Sequence, residues 1–190
     1  MLAAGTQIAT GDCLAEAKLA LQARLSSLPL REILESDRDG EHSRIVLELE
    51  TLARFHSLVS GGGGPAIELM IIDGTGWSLE HGRWQPFAAA AATAESTAAD
   101  EQALADQLTE GARADCLGTV EKNGRQVVGY ELHLDGDQSS GDPYTTMQLY
   151  VDPRTRLPLN IDMTGLGDTG PTAGHETFEY DKSIKLAPPR

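Results

Sequence analysis

Five histidines and an acidic loop are the residues of this chain that could do chemistry, and their spacing decides what kind. His42, His56, His81, His133 and His175 are scattered, and no two stand at metal-ligand spacing. His133-x-Asp135 and His175-Glu176 each put an imidazole beside a carboxylate. Either could begin a metal site or a general base, but neither is selective without partners from other strands. Their plainer reading is as surface or strand-edge side chains. Asp135-Gly136-Asp137-Gln138-Ser139 starts like a calcium loop, with oxygen ligands at alternate positions. The resemblance fails where glycine and a bidentate glutamate are required, because Ser140 and Thr146 stand there. A solvated acidic hairpin loop is the better reading. Gly61–Gly64 lacks the Lys-Ser/Thr of a phosphate loop, and no helix follows the glycines of Gly165–Gly170. There is no GxSxG elbow and no HExxH pair. The expected inventory is no catalytic residue, no metal and no cofactor. An enzyme assembled from His133, Asp135 and dispersed partners is the third-ranked reading.

The elements that would position these residues are mostly strands. Asn123-Gly124 separates two alternating stretches, Leu117–Lys122 and Arg125–Leu134, and accepts the positive φ values of a two-residue hairpin turn. The same alternation predicts strands over Leu30–Asp37, His42–Thr51, Ala53–Ser60, Ala66–Asp73, Trp77–Glu80, Arg83–Phe87, Tyr144–Asp152, Leu157–Thr164 and Glu176–Leu186. Turn residues stand between most of them, including Arg38-Asp39-Gly40, Gly61–Gly64 with Pro65, Asp73-Gly74 and His81-Gly82. A helix is expected from Asp12 to Leu28, with Leu14, Ala17, Leu21, Leu25 and Leu28 on its apolar stripe and Glu16 and Arg24 off it. Thr10 or Asp12 can cap its start, and Pro29 ends it. After the alanine stretch Ala88–Ala94, Thr97 and Asp100 imitate a capping box for a second, weakly apolar helix over Thr97–Glu110. The fold class expected is α+β: a single domain over 1–190, with one strongly curved antiparallel sheet of about 11 strands. It forms a half-open barrel whose concave face is covered by the N-terminal and central helices.

Composition narrows the partners. A net charge of −14 disfavours nucleic acid, where Lys and Arg must neutralise phosphates, and it disfavours unassisted attraction to an anionic bilayer. No apolar run is long enough for a transmembrane helix. Met1-Leu2-Ala3-Ala4 lacks the basic start and apolar core of a signal peptide, and Met1 could be an expression start placed after a removed leader. Cys13 and Cys116 are either two buried thiols or a disulfide formed in an oxidising compartment. A curved sheet also has more concave apolar area than two helices readily cover, and what remains uncovered can take an apolar ligand. The residues placed on that face are Leu47, Leu49, Phe55, Met70, Ile72, Trp77, Trp84, Met147, Leu149 and Ile161. Core packing is the ordinary alternative for each aromatic and methionine among them.

Leu149-Tyr150-Val151-Asp152-Pro153-Arg154-Thr155-Arg156-Leu157-Pro158-Leu159 resembles a stretch of the LolA/LolB-like lipoprotein-carrier superfamily. There a strand ending hydrophobic–aromatic–x–Asp turns and resumes at Leu-Pro. The closing Phe178 to Pro189 looks like the superfamily's final strand, and the element order also matches. The resemblance implies a half-open barrel whose apolar cavity holds acyl chains in the periplasm or cell envelope. Relatives with the fold include lipoprotein chaperones, mycobacterial glycolipid carriers and a periplasmic stress-sensing regulator. The Cys13/Cys116 pair is outside the general pattern and suggests a divergent branch. The expected function is therefore a non-enzymatic envelope protein that binds a lipid or acylated, lipoprotein-type ligand between sheet and helices. The segment 97–110 and the alanines before it would be a movable lid, and an envelope protein is a second expected partner. The alternative is a regulatory interaction module whose cavity its own side chains fill.

Overall fold

The computed structural model describes residues 10–38, 40–87, 112–134, 144–166 and 170–189. Its elements are a helix, α1 (Thr10–Ser26), and eleven strands: β1 (Leu30–Arg38), β2 (Glu41–Thr51), β3 (Arg54–Gly61), β4 (Ile67–Ile72), β5 (Thr75–Glu80), β6 (Arg83–Phe87), β7 (Arg113–Lys122), β8 (Arg125–His133), β9 (Tyr144–Val151), β10 (Pro158–Leu166) and β11 (Pro171–Glu179). All eleven lie in one open sheet of order β6-β5-β4-β3-β2-β1-β11-β10-β9-β8-β7. Two meanders, β1–β6 and β7–β11, are thus joined along the antiparallel β1/β11 pair, where Ile33 lies opposite Thr177. The expected second helix over Thr97–Glu110, the alanine stretch and the acidic loop Asp135–Ser139 fall outside the described residues.

Local sterics explain the hairpins. Asn123 and Gly124 take φ of 51° and 74°, as a two-residue turn with strand-compatible twist demands. Asp73-Gly74 and His81-Gly82 have the same signs. Two expected boundaries are corrected. The last strand is not Glu176–Leu186 but Pro171–Glu179, and Tyr180 to Pro189 continue without regular structure. Thr172-Ala173-Gly174-His175 has no apolar alternation, yet it pairs on both sides, with β1 and β10, so tertiary pairing overrides local pattern there. Strand β7 begins at Arg113 rather than Leu117, with a register shift between Cys116 and Gly118.

The register defines two faces. Through successive partners, Leu30, Leu49, Phe55, Ile71 and Gly76 share one face of the first meander. On the second meander that face carries Phe178, Ile161, Leu149, Tyr130 and Cys116. Helix α1 lies on this face, against β7, β8 and β10. The buried cluster comprises Cys13, Ala17 and Ala20 of the helix with Leu30, Leu49, Phe55, Tyr130, Leu132, Leu149, Ile161 and Phe178. Removing one such large side chain from water is worth about 1.5–3 kcal/mol. At Gly76 there is no room for a β-carbon, because the Phe87 ring would lie 2.6–2.9 Å from it.

Candidate functional site

Helix α1 is fastened along its length. At its start Cys13 is disulfide-bonded to Cys116 of β7, with Cα atoms 5.3 Å apart. One turn on, Glu16 accepts hydrogen bonds from the Tyr130 hydroxyl at 2.6 Å and from Arg156 at 3.1 Å. The Tyr130 bond is the main influence lowering the Glu16 pKa, while burial and that same carboxylate push the Tyr130 phenol up to about 12. Arg156 stands in the turn between β9 and β10, where Asp152 Oδ1 accepts the backbone N–H groups of Arg154 and Thr155 at 2.8 and 2.9 Å. The Asp-Pro-x-Thr-x-Leu-Pro run is therefore a turn that presents an arginine to the helix.

The far end of α1 corrects the expected helical stripe. Arg24, placed off it by the leucine pattern, is buried, while Leu19 is 65% exposed. The buried positions are Cys13, Ala17, Ala20 and Arg24, because small residues let the helix settle close to the sheet. Arg24 Nε lies 3.4 Å from Glu32 Oε1 of β1, and its guanidinium stacks over Phe178, 5.5 Å from the ring centroid. Both side chains of this ion pair are over nine-tenths buried. Such a pair roughly offsets its own desolvation, so its effect is to fix where the helix ends rather than to add net stability. The Tyr180 hydroxyl is buried nearby and has no hydrogen-bond partner among the described residues; burial raises its pKa strongly.

From its start beside β7 to its end above β1 and β11, α1 thus spans the second meander and reaches only β1 of the first. On the first meander the same face is graded. Leu49, Phe55 and Ile71 are buried at one end, next come half-buried Leu47 and Leu69, then half-buried Ile45 and Val59, with Ile67 55% exposed at the Gly61–Gly64 end. Leu34 of β1 lies opposite Ile45 and extends this surface toward the helix.

Of the ten residues expected on the concave face, six lie on the helix-bearing face: Leu47, Leu49, Phe55, Met147, Leu149 and Ile161. Met70, Ile72, Trp77 and Trp84 alternate to the opposite face, where Met70 is paired with His56 and Trp77, and Leu79 with Trp84. Two-residue periodicity shows that neighbours alternate but not which set faces the helix. The set expected on the concave face left out Tyr130, Leu132 and Phe178, which are buried there, and the pair Arg24/Glu32. For the pair, the only available signal was an arginine four residues after Ala20, at helical spacing from Cys13 and Ala17.

The histidines do not converge on one another. His56 Nε2 and Nδ1 face Glu68 at 2.9 Å and Glu48 at 3.4 Å, and His175 Nδ1 contacts Asp162 at 2.6 Å. His42 contacts Asp37 at 3.1 Å, and His81 sits in a turn. No helix among the described residues is long and apolar enough to cross a membrane.

No family model and no curated protein matches the sequence. Solved structures do match. LprF from Mycobacterium bovis has a TM-score of 0.62 at 10% identity, covering 97% of this chain and 99% of that one. The Mycobacterium tuberculosis lipoprotein LppX also scores 0.62 at 10% identity, covering 94% of this chain and 100% of that one. A LolA superfamily protein from Nitrosomonas europaea covers 95% of this chain and 96% of its own at 10% identity, with a TM-score of 0.31. The two higher scores cover nearly all of this chain, so it shares the fold of LprF and LppX.

Proposed function

We propose that this chain is a single-domain, non-enzymatic protein of the periplasm or cell envelope, binding an acyl chain of a lipid or lipid-modified protein. The ligand lies on the helix-bearing face of the first meander. One observation carries the reading: the half-buried surface of Leu34, Ile45, Leu47, Val59 and Leu69, which lies beyond the strands α1 packs against. Each methylene that leaves water there contributes about 0.8 kcal/mol, so a long chain can be held without any charged contact. The disulfide supports an oxidising compartment, where such bonds persist. The sheet and its fastened helix are the rigid part of the site. The opposite-face residues Met70, Ile72, Trp77 and Trp84 take part only if the ligand reaches round the β6 edge.

The test is displacement of a fluorescent fatty acid, together with native mass spectrometry of protein from its original host. We expect saturable probe binding that Leu47→Arg weakens at least tenfold, and a co-purifying lipid. If no probe binds and no lipid is carried, the interaction-module reading replaces this one.

A further inference from the structure

We propose that Asp115, Glu131 and His133 form a binding site for a divalent first-row cation of the Zn2+ class, on the face of the sheet opposite α1. The inference is independent of acyl-chain binding. Glu131 and His133 are two residues apart on β8 and therefore share a face, and Asp115 of β7 lies directly opposite Glu131. The outward direction follows from their neighbours, since Cys116, Tyr130 and Leu132 point toward the helix.

The geometry is that of ligands around a point. His133 Nε2 lies 3.2 Å from Asp115 Oδ2 and 3.4 Å from Glu131 Oε1, and all three atoms are within 4.8 Å of one another. A tetrahedral Zn2+ with bonds of about 2.0–2.1 Å holds its ligand atoms about 3.3–3.4 Å apart. One ring nitrogen facing two carboxylate oxygens has between them either its own N–H hydrogen or a metal ion. The partly exposed site leaves room for water as the fourth ligand.

A second observation comes from outside the cluster. Gln148 Nε2 donates to Glu131 Oε2 at 2.7 Å, and Gln148 Oε1 accepts the Tyr150 hydroxyl at 2.8 Å. The tyrosine dictates which way the amide points, and the amide occupies one glutamate oxygen, leaving Oε1 aimed at the histidine. Outer hydrogen bonds of this kind orient metal ligands and typically change affinity about 10–100-fold when removed. The other histidines lack this convergence. His56 turns a different nitrogen to each carboxylate, and His175 contacts one aspartate, which Lys122 also engages. Arg113, opposite His133, opposes a cation and keeps the expected affinity modest.

The experiment titrates the full chain with Zn2+ by calorimetry and with Co2+ by visible absorption, at neutral pH. We expect one Zn2+ per chain with low-micromolar affinity, about 8 kcal/mol at 1 µM, and the intense d–d bands of tetrahedral Co2+. His133→Gln should weaken binding at least 100-fold, Asp115→Asn and Glu131→Gln about tenfold or more, and Gln148→Ala about tenfold. His56→Gln should change nothing. Circular dichroism confirms that each variant is folded, and Gln148→Ala tests the site without removing a ligand. Absence of saturable binding, or binding that survives His133→Gln, overturns the proposal.

Discussion

The two meanders are built from the same kind of alternating hairpin, yet they solve the burial problem differently. In β7–β11 the helix-facing residues Ala114, Tyr130, Leu132, Met147, Leu149, Ile161 and Phe178 are all buried. In β1–β4 the same face grades from buried Leu49 to exposed Ile67. The difference lies less in the strand sequences than in what crosses them. Disulfide, Glu16 contacts and the Arg24–Glu32 pair tie α1 to the second meander and its seam. The first meander is secured at one end by the C-terminal segment instead. Glu50 accepts the Leu186 backbone N–H and the Lys185 ammonium, each at 3.1 Å, while Arg54 donates to the Leu186 carbonyl at 2.5 Å. Among the described residues, the helix-bearing face of the first meander is therefore the less covered of the two.

Breaking the helix tether should have the largest effect. Cys13 and Cys116 are 103 residues apart. Chain-entropy arguments assign a loop of that length about 4.7 kcal/mol. The Cys13→Ser/Cys116→Ser protein should lose most of that in urea denaturation, and hydrogen exchange should rise in α1 and β7 before it rises in β2–β4. Equal loosening of both meanders would mean that the tether is not specific to one half.

Side-chain truncation sharpens the contrast at a smaller scale. Leu149 is fully buried beneath the helix and Leu47 only half-buried on the other meander. Leu149→Ala should cost about 3 kcal/mol, and Leu47→Ala about 1 kcal/mol. Similar losses in equilibrium unfolding would show that the Leu47 surface is as tightly packed as the core.

The smallest effect is local and depends on pH. Backbone donation from Leu186, then Arg54 and Lys185, holds the Glu50 carboxyl at about 2, below its ordinary 4.5. A depressed folded-state value means that its contribution is complete above about 4.5 and is lost as pH falls toward 2. Protection of the Leu186 amide should therefore drop across that window, and Glu50→Gln should reproduce the drop at neutral pH with little change in the global unfolding midpoint. Protection that persists in Glu50→Gln would assign the anchoring to Arg54 alone.

Much of the architecture was legible because hairpins are local. Asn123-Gly124, Asp73-Gly74 and His81-Gly82 each announce a reversal through two residues that tolerate positive φ. What was hidden depended on distant partners. Thr172–His175 reads as loop and becomes strand only between β1 and β10. Arg24 reads as solvent-facing and is buried because Glu32 and the Phe178 ring receive it. His133 was recognised as a potential ligand, but Asp115 and Glu131 are indistinguishable from surface acids until β7 and β8 pair.

The sequence by itself determined where the chain turns and which residues alternate, since both follow from steric rules acting over two to four neighbours. Tertiary structure decided which alternating set faces α1, that β11 returns to pair with β1, and that three side chains of β7 and β8 meet at one point. Those outcomes rest on contacts between residues far apart in sequence, whose energies become favourable only once the whole sheet has assembled.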